Sequence, residues 1–204
     1  MITALLKGKT AIITGGSTGV GLATAKRFVE EGAYVFINGR SQAELDAAIK
    51  EIGKNVTGVH GDGSKPGDRA RLYTAVAATG RGLDVLFANA AAIDVARIAE
   101  VTQEHLQKAL PLLNDGGSII LNSTDTNAKG NDSIGAYKAI MTALRPLTRT
   151  WASQLRDRNI RVGVISPDAA EESEDHQPNV VPLARFATAE DVANAAVSLA
   201  SART

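Results

Sequence analysis

The sequence predicts an α/β fold, a doubly wound parallel sheet covered by helices on both faces. Three observations predict it. Short apolar runs rich in Val and Ile alternate with amphipathic stretches along the chain, a rhythm that implies parallel strands joined by right-handed helical crossovers. The runs carry apolar residues on both alternations, as strands buried on two faces do. A glycine-rich turn, Thr14-Gly15-Gly16-Ser17-Thr18-Gly19-Val20-Gly21, separates the first run from the first helix, the place where such sheets hold a nucleotide.

The first strand, 10–13, ends at that turn, and Leu22-Ala23-Thr24-Ala25 begins the first helix. The second strand is 33–38. Behind it Ser41-Gln42-Ala43-Glu44 reads as a capping box, with Leu45, Ala48, Ile49 and Ile52 at helical spacing. The third strand is 55–60, and Leu72, Ala75, Val76 and Thr79 repeat the helical pattern. Further strands are expected at 84–88, 118–122 and 160–165. Ile140, Met141, Leu144, Trp151 and Leu155 share a helical core face. Thr188-Ala189-Glu190-Asp191 opens the last helix, with Val192, Ala195, Ala196 and Leu199 turned inward. No linker or repeat interrupts the series, so 1–204 reads as one domain. The stretch from Asp168 to Asn179 is acidic and almost without apolar residues. It predicts a solvated loop, either a plain connection or a lid.

Composition narrows the function. The chain has 204 residues, 44% of them apolar, and zero formal net charge. That length can bury a real core. A balanced charge gives no footing for nucleic-acid binding, which needs a basic face. Cysteine is absent, which excludes disulfides, thiolate zinc sites and a Cys nucleophile. His60, His105 and His176 lie far apart, with no metal-ligand spacing, so no metal is expected. The first residues, Met1 to Lys7, are too short and weakly apolar for a signal peptide. No apolar run reaches membrane-spanning length. The expectation is a soluble, cytoplasmic protein with no membrane or nucleic-acid partner.

The glycine turn carries the strongest chemical signal. Glycines let the backbone turn tightly and approach a pyrophosphate with no Cβ in the way. The N–H groups and positive end of the helix then face the anion. The pattern T-G-x-x-x-G-x-G differs from G-x-G-x-x-G in spacing but shares its mechanics. Gly15, Ser17, Thr18, Gly19, Val20 and Gly21 are therefore candidate cofactor-binding residues. Arg40 follows the second strand, with Gly39 where an acid for a ribose hydroxyl is expected. An arginine there suits the 2′-phosphate of NADP rather than NAD. Asp62 with Gly63, and Asn89, stand at the carboxyl ends of the third and fourth strands. Ligands bind at such ends, though Asp and Asn also serve there as turn-formers or caps.

Taken together, these motifs resemble the short-chain dehydrogenase/reductase family. The matching runs are Thr14–Gly21, Gly61-Asp62, Ala88-Asn89-Ala90-Ala91, Gly117 to Ser123, Ala136-Tyr137, Ile160-Arg161-Val162 through Ser166-Pro167, and Val181 to Phe186, in family order. The resemblance implies a Rossmann-like sheet in the order 3-2-1-4-5-6, without the family's seventh strand. It adds Ala90, Ala91 and Pro167 to the cofactor contacts. It also implies hydride transfer between NADP and a small alcohol or carbonyl. In the family a Ser orients the carbonyl and a Tyr is general acid/base. A Lys four residues after the Tyr lowers its pKa and holds the ribose, and an Asn completes a proton relay. Tyr137 takes the Tyr role; the Ser position falls on Thr124, with Ser123 as a stand-in. An unperturbed phenol titrates near 10, so it needs a nearby cation to act as a base near neutral pH.

The sequence departs from the family at several of these places. Met141 occupies the Lys position, and Lys138 points to another helical face. The segment between Asn89 and Ser118 is shorter than the family's and offers no residue for the Asn role. Pro167-Asp168-Ala169-Ala170-Glu171 lacks the turn that would contact the nicotinamide amide. Three readings follow: an NADP-dependent oxidoreductase whose turnover is weak or lost, a nucleotide-binding pseudoenzyme or engineered minimal variant, or a scaffold that binds no nucleotide. A homo-oligomer with reduced family interfaces is compatible with each.

Overall fold

The computed structural model describes residues 4–89, 107–122, 144–167 and 187–201. Six strands form one parallel sheet: β1 (Thr10–Ile13), β2 (Tyr34–Gly39), β3 (Val56–His60), β4 (Leu83–Asn89), β5 (Leu113–Asn122) and β6 (Arg161–Ile165). Their order is β3-β2-β1-β4-β5-β6, as expected. The order reverses between β1 and β4, so the crevice for a ligand lies at the carboxyl ends of these two strands.

Alternation along the strands builds two cores. Ala11, Ile13, Val35, Ile37, Val85, Phe87 and Ile120 face one way and pack with Phe28, Leu45 and Val192. Ile12, Phe36, Leu86, Ile119 and Leu121 face the other way, toward Leu72, Val76, Trp151 and Leu155. Helices α1 (Gly19–Glu30) and α2 (Gln42–Ile52), with the Ala189–Ala200 helix, supply the first layer. Helix α3 (Pro66–Ala77) and the helical residues 144–154 supply the second. Leu144, Trp151 and Leu155 are core, as their spacing predicts. Ile140 and Met141 lie outside the described residues.

Five strands fall within a residue of their expected bounds, but β5 begins at Leu113 rather than 118. Leu113 pairs with Leu83, and the register then shifts before Ser118 pairs with Val85. The turn-like run Asn114-Asp115-Gly116-Gly117 is carried inside the strand as that irregularity, with Gly116 at φ 77. Tertiary pairing here overrides local turn preference. Arg158 stabilises the entry. Its Nη1 donates to Leu110 O at 3.0 Å, its Nη2 donates to Leu113 O, and its Nε reaches Asp115 Oδ1 at 2.8 Å.

Helix boundaries correct the sequence reading in three places. Ser41 Oγ accepts from Glu44 N at 3.3 Å, but no return bond from the Glu44 side chain forms among the described residues, so only half of the expected box exists. The full capping box is at the other helix: Thr188 Oγ1 accepts from Asp191 N at 3.1 Å, and Asp191 Oδ2 accepts from Thr188 N at 3.0 Å. That helix buries Val192, Ala193, Ala196, Val197 and Ala200, while Ala195 is exposed. Its inward stripe is thus turned from the expected one, because it packs against α1 as well as the sheet. Thr79 lies past the end of α3 and donates its hydroxyl to Val76 O; Arg69 and Tyr73 take the inward places instead.

Among the described residues no helix is long and apolar enough to cross a membrane.

Candidate cofactor site

The glycine turn leaves β1 in a conformation that only glycine takes freely. Gly15 has φ 63 and Gly19 φ 52. Gly16 and Gly21 are required for space. A Cβ on Gly16 would lie 2.6 Å from Ile37 Cγ2, and one on Gly21 would lie 2.0 Å from Gly15 O. The turn therefore folds directly onto the first coil of α1. Thr18, a residue type that caps helices well, is the N-cap of α1 and makes no side-chain cap bond. The first N–H groups of α1 have no internal acceptor from that side chain, and a helix start of this kind attracts an anion. The N-caps Ser41 and Thr188 do cap their helices.

Side chains stitch the carboxyl edge of the sheet together. Asn38, at the end of β2 and 5% exposed, accepts Gly15 N–H on Oδ1 at 3.0 Å and donates Nδ2 to Gly61 O at 3.3 Å. Its own carbonyl accepts Gly16 N–H at 3.0 Å. On the other side, Thr14 Oγ1 accepts Asn89 N–H at 2.9 Å, and Asn89 Oδ1 accepts Asn122 Nδ2–H at 3.0 Å. Strand ends β3, β2, β1, β4 and β5 are thus joined in one line of amide and hydroxyl bonds.

On the β2–β3 side stand the expected charged residues. Arg40 is exposed beyond Gly39, and its carbonyl meets His60 Nε2 at 3.0 Å. A Cβ at Gly39 would lie 2.5 Å from Ser17 Oγ, so an acidic side chain has no room there while Ser17 packs as it does. Asp62 Oδ1 accepts from Ser64 N at 2.9 Å and Ser64 Oγ at 2.8 Å, the geometry of a turn-former. Burial opposes its charge, but the Ser64 bonds and the nearby Arg40 and Lys65 cations prevail and hold its carboxyl below the usual range. Asp68 Oδ2 accepts Asp62 N–H at 2.8 Å, and that bond chiefly lowers the Asp68 carboxyl, with burial opposing and Arg71 helping. Arg69, 1% exposed, donates Nη1 to Gly63 O at 3.1 Å and Ser64 O at 2.8 Å. This loop is therefore held from beneath by a buried guanidinium.

Comparison with known proteins bears directly on this geometry. The family profile described as short chain dehydrogenase matches residues 9–112, and one described as enoyl-(acyl carrier protein) reductase matches 104–204. An oxidoreductase of Sarocladium schorii, asL5, is 40% identical over 223 aligned positions, covering 96% of this chain and 90% of the relative. The chain belongs to the short-chain dehydrogenase family. Dehydrogenase/reductase SDR family member 4 of Rattus norvegicus is 32% identical, over 79% of this chain and 66% of the relative. Among solved structures, a glucose dehydrogenase of Caenorhabditis elegans superposes with a TM-score of 0.83 at 27% identity, covering 98% of this chain and 92% of that one. A Serratia marcescens short-chain dehydrogenase/reductase superposes at 0.85 with 22% identity, covering 97% and 92%, a likeness of fold. The Sarocladium alignment is longer than the 204 residues of this chain, so that relative carries residues this one lacks.

The structure brings Gly15, Ser17, Thr18, Gly19, Val20, Gly21 and Asn89 together around the β1–β4 crevice, with Arg40, Asp62 and Gly63 to one side. Pro167 follows β6 and is half-buried. Ala90, Ala91, Ser123, Thr124 and Tyr137 lie outside the described residues, as do Lys138, Met141 and the stretch from Asp168 to Asn179. Two residues of the site carry weaker sequence signals. Asn38 ends the otherwise apolar run Tyr34-Val35-Phe36-Ile37, and an amide at that exit is the signal. Arg69 sits at helical spacing with Leu72, Tyr73 and Val76, a charge on the inward face.

Proposed function

We propose that the chain binds NADP(H) along the carboxyl edge of its sheet and is an oxidoreductase for a small alcohol or carbonyl, with turnover weak or lost. The uncapped start of α1 against the glycine turn is the observation that carries the reading. Ser17 to Gly21 would hold the pyrophosphate through backbone N–H groups, with Gly15, its N–H held by Asn38, closing the turn beside it. Arg40 would take the 2′-phosphate; the lack of room for an acid at Gly39 supports NADP over NAD. Asp62 and Gly63 would border the adenine, Asn89, Ala90 and Ala91 the crevice, and Pro167 the nicotinamide end. The bound cofactor supplies or accepts hydride. Tyr137 would give or take the proton at its phenolic oxygen, with Thr124 or Ser123 donating a hydrogen bond to the carbonyl oxygen. Met141 stands where the family carries the Lys that lowers the Tyr pKa, and this supports the second reading, binding without turnover.

The test has two parts. NADPH is titrated against Trp151 fluorescence and melting temperature, and its oxidation is followed across a panel of ketones and aldehydes. Binding with turnover that Tyr137→Phe abolishes supports the enzyme. Binding with no turnover on any substrate supports the inactive relative, and no binding of NADPH or NADH defeats both.

A further inference from the structure

Asn122 closes β5 at the carboxyl edge and is 9% exposed. Its Nδ2 is used by Asn89 Oδ1. Its Oδ1 is fully buried and has no hydrogen-bond partner among the described residues. An unmet buried acceptor is costly to the folded chain. Native chains leave few such groups, and each calls for a partner from outside or a strained purpose.

Its place in the fold identifies the partner. The pyrophosphate site is at the end of β1, and Arg40 and Asp62 stand beyond β2 and β3 on one side of it. A dinucleotide extends in both directions from its pyrophosphate. Its second half must then run over the ends of β4 and β5, where Asn89 and Asn122 stand. We propose that Asn122 Oδ1 accepts a hydrogen bond from the nicotinamide riboside half of NADP(H). The assignment rests on the cofactor reading above. That half carries ribose hydroxyls and a carboxamide N–H, and a carbonyl oxygen matches either donor. The bond to Asn89, itself held by Thr14, fixes the Asn122 amide before the ligand arrives, which lowers the ordering cost of binding.

The experiment compares two ligands, NADPH and adenosine 2′,5′-bisphosphate, which lacks the nicotinamide riboside. Asn122→Leu keeps the side-chain size and removes the amide. NADPH is expected to bind about tenfold more weakly to this variant, with the bisphosphate unchanged. Equal weakening of both ligands, or of neither, overturns the assignment. In the unaltered chain, the Asn122 side-chain amide resonances should shift with NADPH and stay in place with the bisphosphate; resonances that ignore NADPH overturn it without any variant. A 3-acetylpyridine analogue of NADPH separates the donors: an Asn122→Leu effect that persists with it assigns the ribose, and one that vanishes assigns the carboxamide. Failure of the unaltered chain to bind NADPH at all overturns the cofactor reading and this assignment with it.

Discussion

Asn38 Oδ1 accepts the Gly15 amide N–H at 3.0 Å, which ties the exit of β2 to the glycine turn after β1. The same amide donates to Gly61 O, so one side chain spans three strand ends. Asn38→Ala should destabilise the chain by about 1–3 kcal/mol, because it leaves the buried Gly61 carbonyl unmet and frees the Gly15 N–H. Urea unfolding measures this. A loss under about 0.5 kcal/mol, the range of ordinary surface changes, would show that the turn holds itself.

Two glycines should answer alanine in opposite ways. Gly67, in the first turn of α3, has open space around a Cβ and no positive φ. Gly67→Ala should stabilise by about 0.5–1 kcal/mol, through the unfolded chain's lost freedom. Gly21→Ala places its Cβ against Gly15 O and should abolish NADPH binding and lower the melting temperature. A Gly21→Ala chain that binds NADPH normally contradicts the packed turn.

Arg40→Ser tests the preference between cofactors. A charge-assisted contact to the 2′-phosphate contributes about 1.5–3 kcal/mol, so NADPH affinity should fall about tenfold to a hundredfold. NADH affinity should stay the same. Parallel calorimetric titrations decide it, and equal loss for both ligands would remove Arg40 from the 2′-site.

Arg158→Met should loosen the entry to β5. The guanidinium serves the carbonyls of Leu110 and Leu113, and methionine serves neither. A loss of about 2 kcal/mol is expected, with hydrogen exchange of the 113–118 amides rising first. Unchanged protection there would show that pairing with β4 alone holds the segment.

Acid should act partly through Glu31, which is 6% exposed. Its Oε2 accepts Leu5 N–H at 2.8 Å and its Oε1 pairs with Arg27 Nη2 at 2.7 Å. The Leu5 amide is the main cause that lowers its carboxyl below the ordinary 4.5; burial opposes and Arg27 assists. A lowered folded pKa means stability that is complete above the unfolded value and lost as pH falls through the folded one. Stability should therefore hold near neutrality and decline in acid. Glu31→Gln should lower stability at pH 7 by about 1–2 kcal/mol and flatten part of that decline. An acid slope identical to the unaltered chain's would assign the effect to other carboxylates, Asp62 and Asp68 first.

Strand positions were legible in the sequence because a buried parallel strand is a run of Val and Ile, as in Tyr34-Val35-Phe36-Ile37. The glycine turn was legible because its backbone demands glycine. The start of β5 was not, since Leu113 pairs with Leu83 across the sheet while its neighbours Asn114 to Gly117 spell a local turn. Asn38 and Arg69 were missed for a related reason. Their value lies in carbonyls and amides that are distant in sequence or set by loop geometry, and pattern reading sees side-chain type rather than partner. Asn122 was read as part of a matching run, and its unmet oxygen exists only in three dimensions.

The line of bonds from Gly61 through Asn38, Gly15, Thr14 and Asn89 to Asn122 is made entirely by the chain itself. Its bonds form without a ligand, and only at its end is an acceptor, Asn122 Oδ1, left unmet. A dinucleotide reaching this edge therefore meets strand ends already tied to one another. The amides of Gly15, Gly16 and Asn89 should be slow in hydrogen exchange before any ligand is added.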